Sequence, residues 1–112
     1  MLLNVTVRGV TMDPSLESLV QHKLHYALDR FGHWVQRVEV ALEDLNGPKG
    51  GVDKRCRMTV SVPRRRDVVV EGRGEQLMSV VAEVIDRAAL ALDRVRGKKR
   101  AARHATVTPE AE

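Results

Sequence analysis

Polar and apolar residues alternate over residues 3–8, with Leu3, Val5 and Val7 on one side and Asn4, Thr6 and Arg8 on the other. A period of two is that of a strand with one buried face. At Asp13-Pro14-Ser15-Leu16-Glu17 the pattern changes. Asp13 suits an N-cap, Pro14 the first helical position, and Glu17 the positive end of the helix dipole. Leu16, Leu19/Val20, Leu24, Ala27 and Phe31 then recur at helical spacing until Gly32, which predicts a helix over about 14–31. Alternation returns at Val38, Val40 and Leu42, and again at Cys56, Met58, Val60 and Val62. Between these strands, Asn46-Gly47-Pro48-Lys49-Gly50-Gly51 reads as a loop. Pro63 ends the third strand, Arg64-Arg65-Arg66 turns the chain, and Val68-Val69-Val70 is a short fourth strand closed by Gly72-Arg73-Gly74. Leu77, Val81, Val84, Ala88, Leu92 and Val95 repeat at helical spacing from about 75 to 96, with Gly97 as the expected stop.

The order β-α-β-β-β-α predicts an α+β domain. Each helix has one apolar stripe, so both must cover the same face of a four-stranded sheet. The first crossover should make strands one and two parallel, and the remaining strands should form an antiparallel meander. The open face would carry Thr6, Arg8, Arg37, Glu39, Arg55, Arg57 and Ser61. Cys56 falls on the inward side and is expected in the core. The domain is expected to span 1–97, followed by a flexible tail over 98–112 that is basic first and acidic last.

Charge changes the picture. The 112 residues carry a net +4, unevenly spread. Residues 1–53 hold 5 basic and 7 acidic side chains, residues 54–103 hold 14 and 6, and residues 104–112 add two acids. A one-sided positive field suits a polyanion or an anionic surface. No apolar run reaches the length of a membrane span, and no secretory signal is evident at Met1-Leu2-Leu3-Asn4-Val5. With a lone cysteine, this points to the cytoplasm as the expected compartment.

Candidate chemistry narrows the classes further. No Gly-rich phosphate loop precedes a helix, and no Ser-His-Asp or Cys-His spacing can be argued, so an enzyme is not expected. His22 and His25 lie three apart but lack evident partners, so neither a metal nor a cofactor is expected. Tyr26, Phe31 and Trp34 are too few for a base-stacking platform. The run Arg94 to Arg103 contains no acid over ten residues and would neutralise several phosphates; the alternative is a solubilising tail. Arg64-Arg65-Arg66 is either a second phosphate contact or a solvated turn. Leu90 and Val80 fall off the core stripe and are expected at a partner or self-association surface.

The chain resembles the ribosome hibernation-promoting factor, ribosome-associated inhibitor and sigma-modulation family, over about residues 3–100. The resemblance rests on Val5-Thr6-Val7-Arg8 with Asp13-Pro14-Ser15-Leu16, Lys23-Leu24, Phe31-Gly32-His33 and Val38-Glu39-Val40-Ala41-Leu42. Ile85-Asp86-Arg87 and the Arg94 to Arg100 cluster complete it. It departs in the loop from Asn46 to Lys54 and at the start of the late helix, Gln76 to Val80. The resemblance implies a double-stranded-RNA-binding-domain-like fold and a translation silencer. Such a protein binds rRNA of the small ribosomal subunit in the mRNA and tRNA channel through basic side chains. The implied contacts are Arg8, Lys23, Arg87, Arg94, Lys98, Lys99 and Arg100, with Arg64, Arg65 and Arg66 added from charge. It also implies the short form, without the dimerisation domain of longer members. The expected partner is the small subunit, with no small-molecule substrate and no membrane; a weak self-association through the late helix is also expected. The other functional class is a protein-interaction regulator that keeps the fold without binding ribosomes.

Overall fold

The computed structural model describes residues 1–9, 14–44 and 54–103, with side chains as far as Gly97. Strand β1 (Leu2–Arg8) leads to helix α1 (Pro14–Leu28) and a 3-10 segment (Asp29–Trp34). Strands β2 (Arg37–Asp44), β3 (Lys54–Ser61) and β4 (Val68–Gly74) follow, and helix α2 (Leu77–Arg103) completes the fold. The sheet order is β1-β2-β3-β4. Strands β1 and β2 are parallel, as a helical crossover allows, and the other two pairings are antiparallel. The expected α+β architecture is the one observed. Asp13, the expected N-cap, and the 46–53 loop lie outside the described residues.

The period-two pattern sets which face is buried. Val38, Val40 and Leu42 of β2, Cys56, Met58 and Val60 of β3, and Val70 of β4 form one cluster with Val20, Leu24 and Leu28 of α1 and with Val81, Val84, Ile85, Ala88 and Leu92 of α2. No polar or charged side chain among the described residues is buried. Burial of this apolar surface is what holds the helices to the sheet.

Four sequence expectations need correction. Gly72 and Gly74 do not close β4; they are part of it. A β-carbon on Gly72 would lie 2.8 Å from Cγ2 of Val84, and one on Gly74 would lie 2.8 Å from Cγ2 of Val80. These glycines admit α2 against the sheet, the usual meaning of glycine inside a strand. For the same reason Val80 is 3% exposed, packed over the β4 edge, and not a surface residue. The first helix ends at Leu28, short of Phe31, and a 3-10 segment carries Phe31 into the core. Within it Gly32 takes φ 55, the left-handed conformation that favours glycine. Finally, Gly97 does not stop α2, which continues to Arg103. Glycine inside a helix costs only about 1 kcal/mol relative to alanine, and Gly97 is not in the left-handed conformation of a terminating glycine.

Candidate nucleic-acid interface

The open sheet face is organised in cross-strand rows. Arg8, Glu43, Arg55 and Arg73 form one row, and Thr6, Ala41, Arg57 and Glu71 the next. Arg55 Nη2 lies 2.7 Å from Glu43 Oε1, and its Nε lies 3.6 Å from Glu71 Oε2. The first approach is off the hydrogen-bonding direction, so Glu43 Oε1 is held by charge alone. Arg8 reaches Glu43 Oε2 at 3.6 Å. Lys54 and Asp44, at 3.3 Å, close the same end of the β2–β3 pair. Arg57 and Arg73 make no ion pair among the described residues, so the face keeps free cations between its paired ones. Two shallow depressions mark it, one lined by Asn4, Thr6, Glu39 and Arg57, the other by Thr6, Arg8, Glu43 and Arg55.

The strongest concentration of charge lies at one end of the sheet. Helix α2 starts beside Gly74 and runs back along β4, since Val80 meets Gly74 and Val84 meets Gly72. Its 27 residues span about 40 Å. A strand of seven residues covers only about 24 Å, so α2 outruns the sheet on the side of the β3–β4 turn. That turn is Arg64-Arg65-Arg66, all exposed and without ion-pair partners among the described residues. Arg64 has φ 61, a left-handed backbone uncommon outside glycine. Arg94, exposed and without an ion-pair partner among the described residues, and the helical segment carrying Lys98, Lys99 and Arg100 head toward this end.

An aromatic anchor fixes the direction of α2. The guanidinium of Arg96 stacks 4.6 Å from the Phe31 ring centre and 5.5 Å from that of Trp34. Arg30 covers Phe31 at 4.7 Å. The two rings lie 6.0 Å apart and lead directly into β2. A cation over an aromatic face is attracted by the ring quadrupole, so Arg96 ties the helix to the body of the domain.

The family described as Sigma 54 modulation protein / S30EA ribosomal protein matches residues 3–100. The chain belongs to this family. Among solved structures, the fold is similar to a ribosomal subunit interface protein from Coxiella burnetii, with TM-score 0.72 and 16% identity over 87% of this chain and 99% of that one. It is also similar to the N-terminal domain of Protein Y from Thermus thermophilus, with TM-score 0.69 and 21% identity over 85% and 99% of the two chains. No curated protein matches.

Within this S30EA family member, the residues singled out from sequence fall into separate groups. Arg64, Arg65, Arg66 and Arg94 sit at or toward the basic end. Arg8 lies at the opposite end of the open face, bound to Glu43. Arg87 Nη1 donates to the backbone oxygen of Glu71 at 3.1 Å, joining α2 to the β4 edge. Lys23 is on the outer helical face, 3.2 Å from Asp86. The side chains of Lys98, Lys99 and Arg100 lie outside the described residues. Sequence reasoning placed Arg55 and Arg57 on the open face but did not single them out, and it missed Arg73. Their common signal is a cation at alternate positions of adjacent strands. His22 and His25 are exposed on α1, and no group of three or more metal-ligating side chains occurs among the described residues. Cys56 is fully buried, which pushes its thiol pKa up from 9.0 to about 12 and keeps it protonated at neutral pH. No helix among the described residues is long and apolar enough to cross a membrane.

Proposed function

We propose that this protein is a ribosome-associated translation silencer that binds rRNA of the small subunit in the mRNA and tRNA channel, without catalysis, in the cytoplasm. The observation that carries the reading is the convergence of the Arg64-Arg65-Arg66 turn and the acid-free end of α2 toward one end of the sheet. Unpaired arginines are free to meet phosphates without first breaking an ion pair. They read charge and shape, not base edges, which suits a structured RNA surface. Membership of the S30EA family and likeness to a ribosomal subunit interface protein support the same reading. The open face, where Arg57 and Arg73 have no ion-pair partner among the described residues, supplies a second set of contacts.

The deciding experiment is sedimentation of the protein with purified small and large subunits over a salt series. Binding to the small subunit that weakens steeply with salt is expected, because each neutralised phosphate releases condensed counterion. Absence of binding at every salt concentration would overturn the proposal and favour a protein-interaction regulator.

A further inference from the structure

The outer face of the helix pair differs from the rest of the surface. Its cations come from α1 and the 3-10 segment that follows it, and its carboxylates come from α2. Lys23 Nζ lies 3.2 Å from Asp86 Oδ1, and Arg30 Nη2 lies 2.7 Å from Asp93 Oδ2. Lys23 and Arg30 are seven residues apart, as are Asp86 and Asp93, and both pairs close, so the rows run level along a groove of about 480 Å³. Midway between them stand Tyr26, 86% exposed, and Leu90, 56% exposed, over a floor of Ala27 and Ala89. Phosphates are unsuited to this face, since carboxylates already neutralise its cations and would repel a polyanion. An apolar centre framed by opposite charges is the anatomy of a protein interface.

We propose that this face binds a second copy of the same chain, forming a weak two-fold dimer that leaves the open sheet face and the basic end uncovered. The charge rows select the symmetry. A two-fold axis along the groove lays α1 of one copy on α2 of the other. Lys23 and Arg30 then meet Asp86 and Asp93 of the second copy at the same height, and Tyr26 meets its Leu90. An axis across the groove would lay α1 on α1 and oppose cation with cation. The face is therefore self-complementary in one orientation only, as a closed two-fold contact requires. The exposed charges set the orientation, and the apolar centre supplies the affinity.

Analytical ultracentrifugation of the full chain over a concentration series tests the proposal. The native mass should rise with concentration toward twice that of one chain. The double variant Tyr26→Ser, Leu90→Asp should associate at least about tenfold more weakly, with little change in melting because both side chains are exposed. Asp86→Lys with Asp93→Lys makes both rows positive, and Lys23→Glu with Arg30→Glu makes both negative. Each of these variants should stay monomeric alone, and an equimolar mixture should assemble. A native chain that remains monomeric throughout would overturn the proposal. So would a dimer unaffected by the Tyr26 and Leu90 changes, or a mixture of the charge variants that associates no better than either alone. If a charge variant fails to fold, the Tyr26 and Leu90 arm still decides.

Discussion

Gly72 and Val84 are fitted to each other: a β-carbon on the glycine would come within 2.8 Å of the valine Cγ2. Val84 is fully buried on α2, and Gly72 sits across from Cys56 in the sheet. The distance between helix and strand is therefore set by a missing side chain. Gly72→Ala should destabilise the fold by roughly 1–3 kcal/mol through overpacking. Adding Val84→Ala should recover part of that loss by opening the space the methyl needs. Thermal melts of the single and double variants would check this; additive losses would show that the two residues do not share the space.

The same fit between glycine and valine explains what the sequence could and could not reveal. Alternation at Val38, Val40 and Leu42 and at Cys56, Met58 and Val60 specified the inward face, because a one-residue slip would expose all of them. Glycine is ambiguous by nature. Gly32 is a positive-φ kink inside the 3-10 segment, Gly72 and Gly74 admit a neighbouring helix, and Gly97 is carried inside a helix. Only tertiary packing separates these cases. The basic end was legible as two charge runs at 64–66 and 94–103, but their approach depends on α2 being long enough to outrun the sheet. Lys23 and Arg87 looked equivalent to those arginines in sequence, yet Asp86 and the Glu71 carbonyl engage them.

Arg96 should matter more to the order of α2 than to the core. Its guanidinium faces both Phe31 and Trp34. Arg96→Ala should cost about 1 kcal/mol and speed amide exchange in the last turns of the helix. Arg96→Lys should restore part of the protection, since the charge remains but the planar stacking does not. Equal exchange in all three proteins would remove the aromatic anchor from the account.

Cys56 makes a prediction about pH. Its thiol is held up at about 12 in the folded state, against 9.0 when unfolded. Below pH 9 both states keep the proton and the group adds no pH dependence. Between 9 and 12 the unfolded chain releases it and the folded chain does not, so stability should fall as pH rises through this window. Tyrosine and lysine titrate nearby, so the comparison is with Cys56→Ala. That variant should lose roughly 1–2 kcal/mol at neutral pH to a small cavity, and its melting temperature should decline less steeply above pH 9. Rapid labelling of the native thiol by a disulfide reagent would contradict its burial.

Arg64 should trade stability against binding. A non-glycine residue in the left-handed region is strained by roughly 1–2 kcal/mol, and Arg64 holds φ 61 directly after Pro63. Arg64→Gly should relieve strain and raise the melting temperature, while removing one positive charge from the turn. Arg64→Ala removes the same charge and keeps the strain, so it isolates the electrostatic part. If both variants bind small subunits as tightly as the native protein, Arg64 is not part of the interface.

The two halves of the basic end should be separable by their salt dependence. Changing Arg64, Arg65 and Arg66 together to Glu places three negative charges in an exposed turn, and changing Lys98, Lys99 and Arg100 to Glu does so beyond the core-packed part of α2. The turn set is exposed and the helix set lies past Leu92, the last described core residue of α2, so both variants should melt close to the native protein. Each should weaken small-subunit binding strongly at low salt. The logarithm of the remaining affinity should also vary less with salt, by about 0.7–0.9 in slope for each phosphate that is no longer neutralised. A variant that binds more weakly with an unchanged slope would have been damaged elsewhere. If the turn variant binds like the native protein and the helix variant does not, the RNA is held along the extension of α2 alone. The opposite result would place it on the turn and the open face with Arg57 and Arg73. Replacing the terminal acids Glu110 and Glu112 with Gln should leave both affinity and slope nearly unchanged.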